Sequence, residues 1–175
     1  MKQTSFITMA GALMLLAPAW PSVGQPFPLP GAKSPAHYVD FRFHDGSAQR
    51  IAKKLLAKKI AGTVAEEAEM PPEMRSSLST AWVNVSRAES PMLLVTYGCS
   101  ATGNCDLYGF EHTKRGWRLV LNSLAQMCWI LSSSHGGRRD ISASMHGTAT
   151  ESTIKNYWWR KNRYVRVSER NVIYN

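Results

Sequence analysis

From Ala81 onward the chain falls into short runs in which apolar and polar residues alternate: "AWVNVS", "MLLVTYG", "DLYGFEH", "GWRLVLN", "MCWILSS", "RDISASM", "IKNYWWR" and "YVRVSE". A period of two sends successive side chains to opposite faces, which is the mark of β-strands. Turn residues separate many of the runs: Ser90–Pro91, Gly103–Asn104, Arg115–Gly116, Gly136–Gly137, Gly147 and Lys161–Asn162. Short strands at this spacing predict an antiparallel sheet built largely from hairpins. Upstream, "HYVDFRFH" (37–44) offers one more strand. The segment "SAQRIAKKLLAKKIAG" changes period. Ile51, Leu55, Leu56 and Ile60 form a helical stripe, with Ser47 placed to cap it and Gly62 to stop it.

The other face of that helix carries Arg50, Lys53, Lys54, Lys58 and Lys59. Such a face serves either as the solvated side of a helix packed on a sheet or as a basic surface for a membrane or partner. We adopt the packed reading. The acidic run Glu66, Glu67 and Glu69 follows, and "PPEMRSSL" from Pro71 predicts a second, shorter helix. Helices first and strands afterwards give an α+β fold class: an N-terminal basic amphipathic helix packed on a mainly antiparallel, hairpin-rich β-sheet. The absence of a βαβ rhythm and of a Gly-rich phosphate loop argues against a nucleotide-binding α/β fold.

The N-terminus follows a different logic. Lys2 precedes a mostly apolar run from Phe6 to Ala17, too short for a membrane span, which needs roughly 20 apolar residues. A positive start, a short apolar core and small residues beyond it describe a secretory signal peptide. Ser22 and Gly24 fit the cleavage positions, with Ala17 and Ala19 as a second site. Pro18, Pro21, Pro26, Pro28 and Pro30 break any helical continuation. The expected organisation is a signal peptide over 1–24, an extended Pro-rich lead-in over 25–44 and a single α+β domain over 45–175. The exported chain is expected to be periplasmic or secreted, without a transmembrane segment.

Charge then narrows the partners. The net charge is +9, of which the leader would remove only Lys2. An exported protein this basic is drawn to anionic partners, here an envelope protein or polymer. Export, together with the lack of a zinc-finger, helix-turn-helix or RNA-binding signature, argues against a specific nucleic-acid role.

Export also sets the chemistry of Cys99, Cys105 and Cys128. In an oxidising compartment, paired thiols persist as disulfides. The C-x5-C spacing of "CSATGNC" is not that of a zinc site, and there is no C-x-x-C redox pair. A clasp remains: a strand ending at Tyr97, a turn in which Gly103 and Asn104 supply positive backbone angles, and a new strand from Asp106. The expected bond is Cys99–Cys105, with a bond to Cys128 as the alternative. Cys128, inside "MCWIL", reads as a buried thiol.

Little else nominates a reaction. In "SSSHGGRRD", Ser134, His135 and Asp140 lie close in sequence and supply triad residue types, but there is no G-x-S-x-G elbow. The five histidines, at 37, 44, 112, 135 and 146, show no metal-binding spacing. No metal, cofactor or catalytic residue is assigned. The C-terminal stretch "YWWRKNRYVRVSER" combines aromatic and arginine side chains, types favoured at binding hot spots. The plainer reading is a final hairpin with one tryptophan in the core and one capping the sheet edge under arginine stems. Strand alternation sends Trp158 and Trp159 to opposite faces. The candidate binding surface therefore combines Arg138 and Arg139 with Trp158, Trp159, Arg160, Lys161 and Arg163, at or beside predicted turns where charged side chains reach outward.

The motifs "CSATGNC", "GWRLVL", "GGRRDI" and "YWWRKNRY", between Ala81 and Val167, resemble a group of small exported bacterial β-rich domains of unknown function. That group has a Cys-Gly-x-Gly-Asn-Cys-like clasp, a Gly-aromatic strand, a Gly-Tyr-Arg-Asp-Ile-like turn and an aromatic strand before Asp-Gly-Lys-x-Tyr. Its members often carry an acidic repeat before the clasp. This chain has "VSRAESP" there, without the calcium-binding carboxylates. The resemblance implies export and a β-rich fold. The expected function is a non-enzymatic binding protein of the inhibitor or immunity type. The alternatives are an envelope hydrolase using the Ser134/His135/Asp140 turn, or a basic surface-adhesion protein.

Overall fold

The computed structural model describes residues 36–42, 46–59, 78–86 and 90–173. The expected signal peptide, most of the lead-in, Ile60 and Gly62, the acidic run and most of the second helix lie outside the described residues. Those that are described form nine strands and one helix: β1 (Ala36–Tyr38), α1 (Gly46–Lys59), β2 (Ser79–Val83), β3 (Met92–Tyr97), β4 (Cys105–Thr113), β5 (Gly116–Ala125), β6 (Met127–His135), β7 (Arg138–His146), β8 (Glu151–Arg160) and β9 (Arg163–Ile173). Among the described residues the fold is mostly antiparallel β-sheet with one helix. Of the expected strand over 37–44, His37 and Tyr38 lie in β1 and Arg42 forms an isolated bridge with Thr80, while 43 and 44 lie outside the described residues.

Two meanders account for the topology. β2-β3-β4-β5 form a four-stranded sheet, and β6-β7-β8-β9 form a second, with β1 added on the free edge of β6. Every strand pair is antiparallel. Only Gln126 separates β5 from β6, yet they belong to different sheets. Its amide donates to the carbonyl of Ser144 at 2.6 Å, carrying the chain from one sheet to the other.

One core joins the sheets. It contains Met92, Leu94, Leu107, Val120 and Leu121 from the four-stranded sheet, and Cys128, Ile130, Ile141, Tyr157, Trp159 and Tyr164 from the five-stranded one. The intervening residues of β3, Leu93, Val95 and Tyr97, point away from it into a second cluster with Tyr108 and Phe110. β3 is therefore buried along both faces, which its continuous apolar run "MLLVTY" permits.

That second cluster also contains Ala48, Ala52 and Leu56 of α1, while Ile51 and Leu55 are only partly buried against it. The deeply buried line is thus one residue-type smaller than the stripe read from the sequence. Positions 48, 52 and 56 are four apart and stack on one face, and alanine lets a helix approach closely. The helix begins at Gly46, so Ser47 falls within its first turn rather than before it. Gly109 serves a similar packing need in β4: a Cβ there would lie 2.8 Å from Cβ of Leu121, beside the β-bulge.

Candidate binding site at the paired hairpin tips

The turn between β6 and β7 is made by Gly136 and Gly137, with φ of 60° and 82°. The turn between β8 and β9 is made by Lys161 and Asn162, with φ of 48° and 65°. Two consecutive positive-φ residues are what a tight two-residue hairpin requires, because that turn's twist matches its strands. Since β7 pairs with β8, the two tips are neighbours. A Cβ on Gly136 would lie 2.6 Å from the carbonyl oxygen of Trp159.

Beneath the tips lies an inter-sheet polar group. Arg138, only 6 % exposed, forms an ion pair with Glu111 of β4, and Arg118 of β5 bonds the same carboxylate at 2.7 Å. The guanidinium carbon of Arg138 also stands 3.7 Å from the centroid of the Trp159 ring. Trp159 meets Tyr164 edge-on at 5.2 Å, and the Tyr164 hydroxyl donates to the carbonyl of Arg139 at 2.9 Å. Burial alone would raise the pKa of Glu111, but hydrogen bonds and charge from Arg118 and Arg138 outweigh it and hold the carboxyl below its ordinary value. The outward reach expected of Arg138 is corrected here. A buried glutamate on the facing sheet draws the guanidinium inward, where it also covers an aromatic ring.

Two residues along β7 from Arg138, Asp140 is 1 % exposed. It accepts a hydrogen bond from the Ser133 hydroxyl at 2.7 Å and from Nδ1 of His135 at 2.8 Å. A carboxylate only accepts, so the proton of the neutral imidazole sits on Nδ1. The His135 ring stacks on Trp158 with centroids 3.6 Å apart and planes 11° apart, and Arg160 stands over that ring at 5.0 Å. Sequence proximity pointed to Ser134, which is exposed; the hydroxyl that joins the group belongs to Ser133. It bonds the carboxylate rather than Nε2 of His135, so these residues do not form the nucleophile-base-acid order of a triad.

Arg160, Lys161 and Arg163 are exposed, and among the described residues none of them forms an ion pair. Arg160 and Arg163 are directly opposite one another across the hairpin. Arg139 is half-buried, with Nε donating to the carbonyl of Leu131 at 2.9 Å. The structure thus gathers Trp158, Arg160, Lys161 and Arg163 at one surface and places Arg138 and Trp159 beneath it. His135 joins that surface, held from beneath by the buried Asp140. Sequence reading had set them apart as a catalytic alternative, and only the β7–β8 register brings His135 to Trp158.

The clasp lies elsewhere. Cys99 and Cys105 are disulfide-bonded, and Cys128 is a buried free thiol whose pKa burial pushes up to about 12. Gly98 and Gly103 carry the positive φ values of this region, at 63° and 79°, whereas Asn104 does not. Asn104 instead uses its side chain as a strand would use its backbone: Nδ2 donates to the His146 carbonyl and Oδ1 accepts from the His146 amide, both at 2.8 Å. On α1, Arg50, Lys53, Lys54, Lys58 and Lys59 are exposed, and Lys59 stands 5.6 Å from the Tyr108 ring centroid. Among the described residues no cluster of three metal-ligating side chains occurs, and no helix is long and apolar enough to cross a membrane. Compared with known proteins, the chain matches no family model, no curated protein and no solved structure.

Proposed function

We propose that the protein is an exported, non-enzymatic binding protein of the inhibitor or immunity type, which takes an anionic envelope protein or polymer at the paired hairpin tips. The observation that carries this reading is Arg160 directly opposite Arg163. Like charges across a strand pair are destabilising. Between them, Lys161 occupies a left-handed backbone conformation that costs a non-glycine residue roughly 1–2 kcal/mol. Stability given up twice at one spot, in favour of positive charge without a counter-ion among the described residues, fits a surface kept for a partner. Trp158 supplies a flat apolar contact beside that charge, and arginine with an aromatic ring is a favoured hot-spot pairing. The β-rich fold and the clasp agree with the resemblance to small exported domains. Within this reading, α1 covers the four-stranded sheet and its lysines serve solubility.

Replacing Arg160 and Arg163 with Ala is expected to abolish capture of the envelope partner, while replacing Lys54 and Lys58 leaves it intact. Loss only in the lysine variant, at unchanged stability, would move the interface to the helix. Repeating the capture at low and high salt separates a specific partner, retained at both, from a basic adhesion protein released by screening. Amino-terminal sequencing of the exported form is expected to begin at or near Gln25. A second reading, an envelope hydrolase, draws on the His135–Asp140 bond alone. It requires a hydrolytic activity that disappears in His135→Ala.

A further inference from the structure

A second site stands at the seam between the two sheets, away from the hairpin tips. Strands β1 and β2 are the edges of different sheets, and they face each other across a cleft of 470 Å³, a size that suits a small ligand. The cleft is closed at both ends by backbone hydrogen bonds. At one end Arg42 and Thr80 exchange amide-to-carbonyl bonds of 2.9 and 3.1 Å; at the other the Arg139 amide donates to the Val85 carbonyl at 2.8 Å. An added strand would have to pass through these closures, so the opening admits a compact molecule rather than an extended peptide.

Its lining is chemically mixed. Tyr38 on the β1 wall and Trp82 on the β2 wall are 41 % and 42 % exposed, unusual exposure for aromatic residues in a sheet. Val39 and Ile130 supply apolar contact between them. Arg139 lines the cleft half-buried. Its Nε is held by the Leu131 carbonyl, and its terminal amino groups make no hydrogen bond among the described residues. Arg42 stands at the rim, 3.8 Å from Asp40. An anchored guanidinium with unspent donors is a preorganised site for a carboxylate or phosphate, which it meets with two parallel bonds. Asp40 can only accept, so next to it a ligand must bring donors such as hydroxyl groups. The Tyr38 ring packs against Trp129 and the Trp82 ring against Trp117, so the two aromatic residues border the opening.

We propose that this cleft binds a small polyhydroxylated acid such as a single sugar acid: Arg139 takes the acidic group at one end, and Asp40 accepts from the hydroxyls at the other. This site is independent of the partner surface at the hairpin tips, and its loss would leave that reading untouched.

Amide NMR shifts of the full exported chain, titrated with glucuronate, glucose 6-phosphate, glucose and inorganic phosphate, test it. The expected result is saturable shifts centred on Tyr38, Trp82 and Arg139 with at least one acidic sugar, and weaker binding of glucose and of phosphate alone. Arg139→Gln is expected to weaken binding about tenfold, the effect of losing a charged hydrogen-bonding group. Asp40→Asn alters an exposed side chain and tests the hydroxyl acceptor without touching the interior; several-fold weakening is expected. Glucose binding as tightly as the acids would overturn the proposal. So would phosphate binding as tightly as the sugars, shifts centred on Trp158 and Arg160, the absence of saturable shifts with either acidic sugar, or unchanged affinity in both variants.

Discussion

Arg138 of the five-stranded sheet bonds Glu111 of the four-stranded sheet while its guanidinium carbon stands 3.7 Å from the Trp159 ring centroid. One side chain therefore ties the two sheets together directly under the proposed binding tips. Breaking a buried ion pair from one side leaves an uncompensated charge and costs about 3–5 kcal/mol. Arg138→Met is expected to fall in that range by urea unfolding, moderated because Arg118 still bonds Glu111. The double change Arg138→Met with Glu111→Leu is expected to be less damaging than Arg138→Met alone. A single variant as stable as the wild type would show that the pair does not hold the sheets.

The same pair sets the acid limb of stability. The folded-state pKa of Glu111 lies below its ordinary 4.5. Its contribution is therefore complete above the unfolded value and is lost as pH falls through the lowered folded one. Unfolding free energy measured downward from pH 4.5 is expected to drop less steeply in Glu111→Gln than in the wild type. Parallel curves would contradict the assignment.

How much of this was legible beforehand depends on the range of the interaction. The strands from Ala81 onward and their turns were readable because alternation and turn chemistry are local signals. The Cys99–Cys105 clasp was readable for the same reason. The burial of Arg138 was not, because the glutamate that draws it inward is 27 residues away and on the other sheet. Nor was the stacking of His135 on Trp158, which depends on β7–β8 register. A β-bulge between Asn156 and Tyr157 further shifts the alternation in β8. The cleft between β1 and β2 was invisible for a like reason: its walls belong to different sheets, joined there by the bridge from Arg42 to Thr80.

Adjacent glycines in one turn offer a controlled comparison. Gly136 and Gly137 both have positive φ, but only at Gly136 would a Cβ collide, 2.6 Å from the Trp159 carbonyl oxygen. Gly137→Ala is expected to cost only the left-handed penalty, about 1–2 kcal/mol. Gly136→Ala is expected to cost clearly more, because backbone must move, and to disturb the Trp158–His135 stack. Equal melting shifts for the two variants would mean that the tips do not pack as closely as described.

For the clasp, the loop is short, so the disulfide should contribute roughly 2 kcal/mol through the unfolded state. Cys99→Ser with Cys105→Ser is expected to lower stability by about that amount without changing the fold, because Asn104 still bonds His146 through both side-chain atoms. Peptide mapping without reduction should find Cys99 linked to Cys105. A bond to Cys128 in that map would overturn the pairing.

The alkaline limb gives the last test. Burial raises the Cys128 thiol from 9.0 to about 12. Burial, with the nearby Asp106 carboxylate and the hydrogen bond Tyr108 donates to it, raises Tyr108 from 10.0 to about 12. Both groups stay neutral in the folded chain and ionise earlier once it unfolds. Their contribution is complete below the unfolded values and shrinks as pH climbs from them towards about 12, since the unfolded chain then binds fewer protons. Cys128→Ala removes one of these groups. The variant starts less stable, because a small void replaces the sulfur, so the informative quantity is the slope. Urea unfolding between about pH 8 and 11 should show a shallower decline in Cys128→Ala than in the wild type, beginning near the ordinary thiol value. Asp106→Asn should soften the decline above the ordinary tyrosine value, by bringing Tyr108 back towards it. Wild-type slopes in both variants would mean that neither group is shielded in the folded protein.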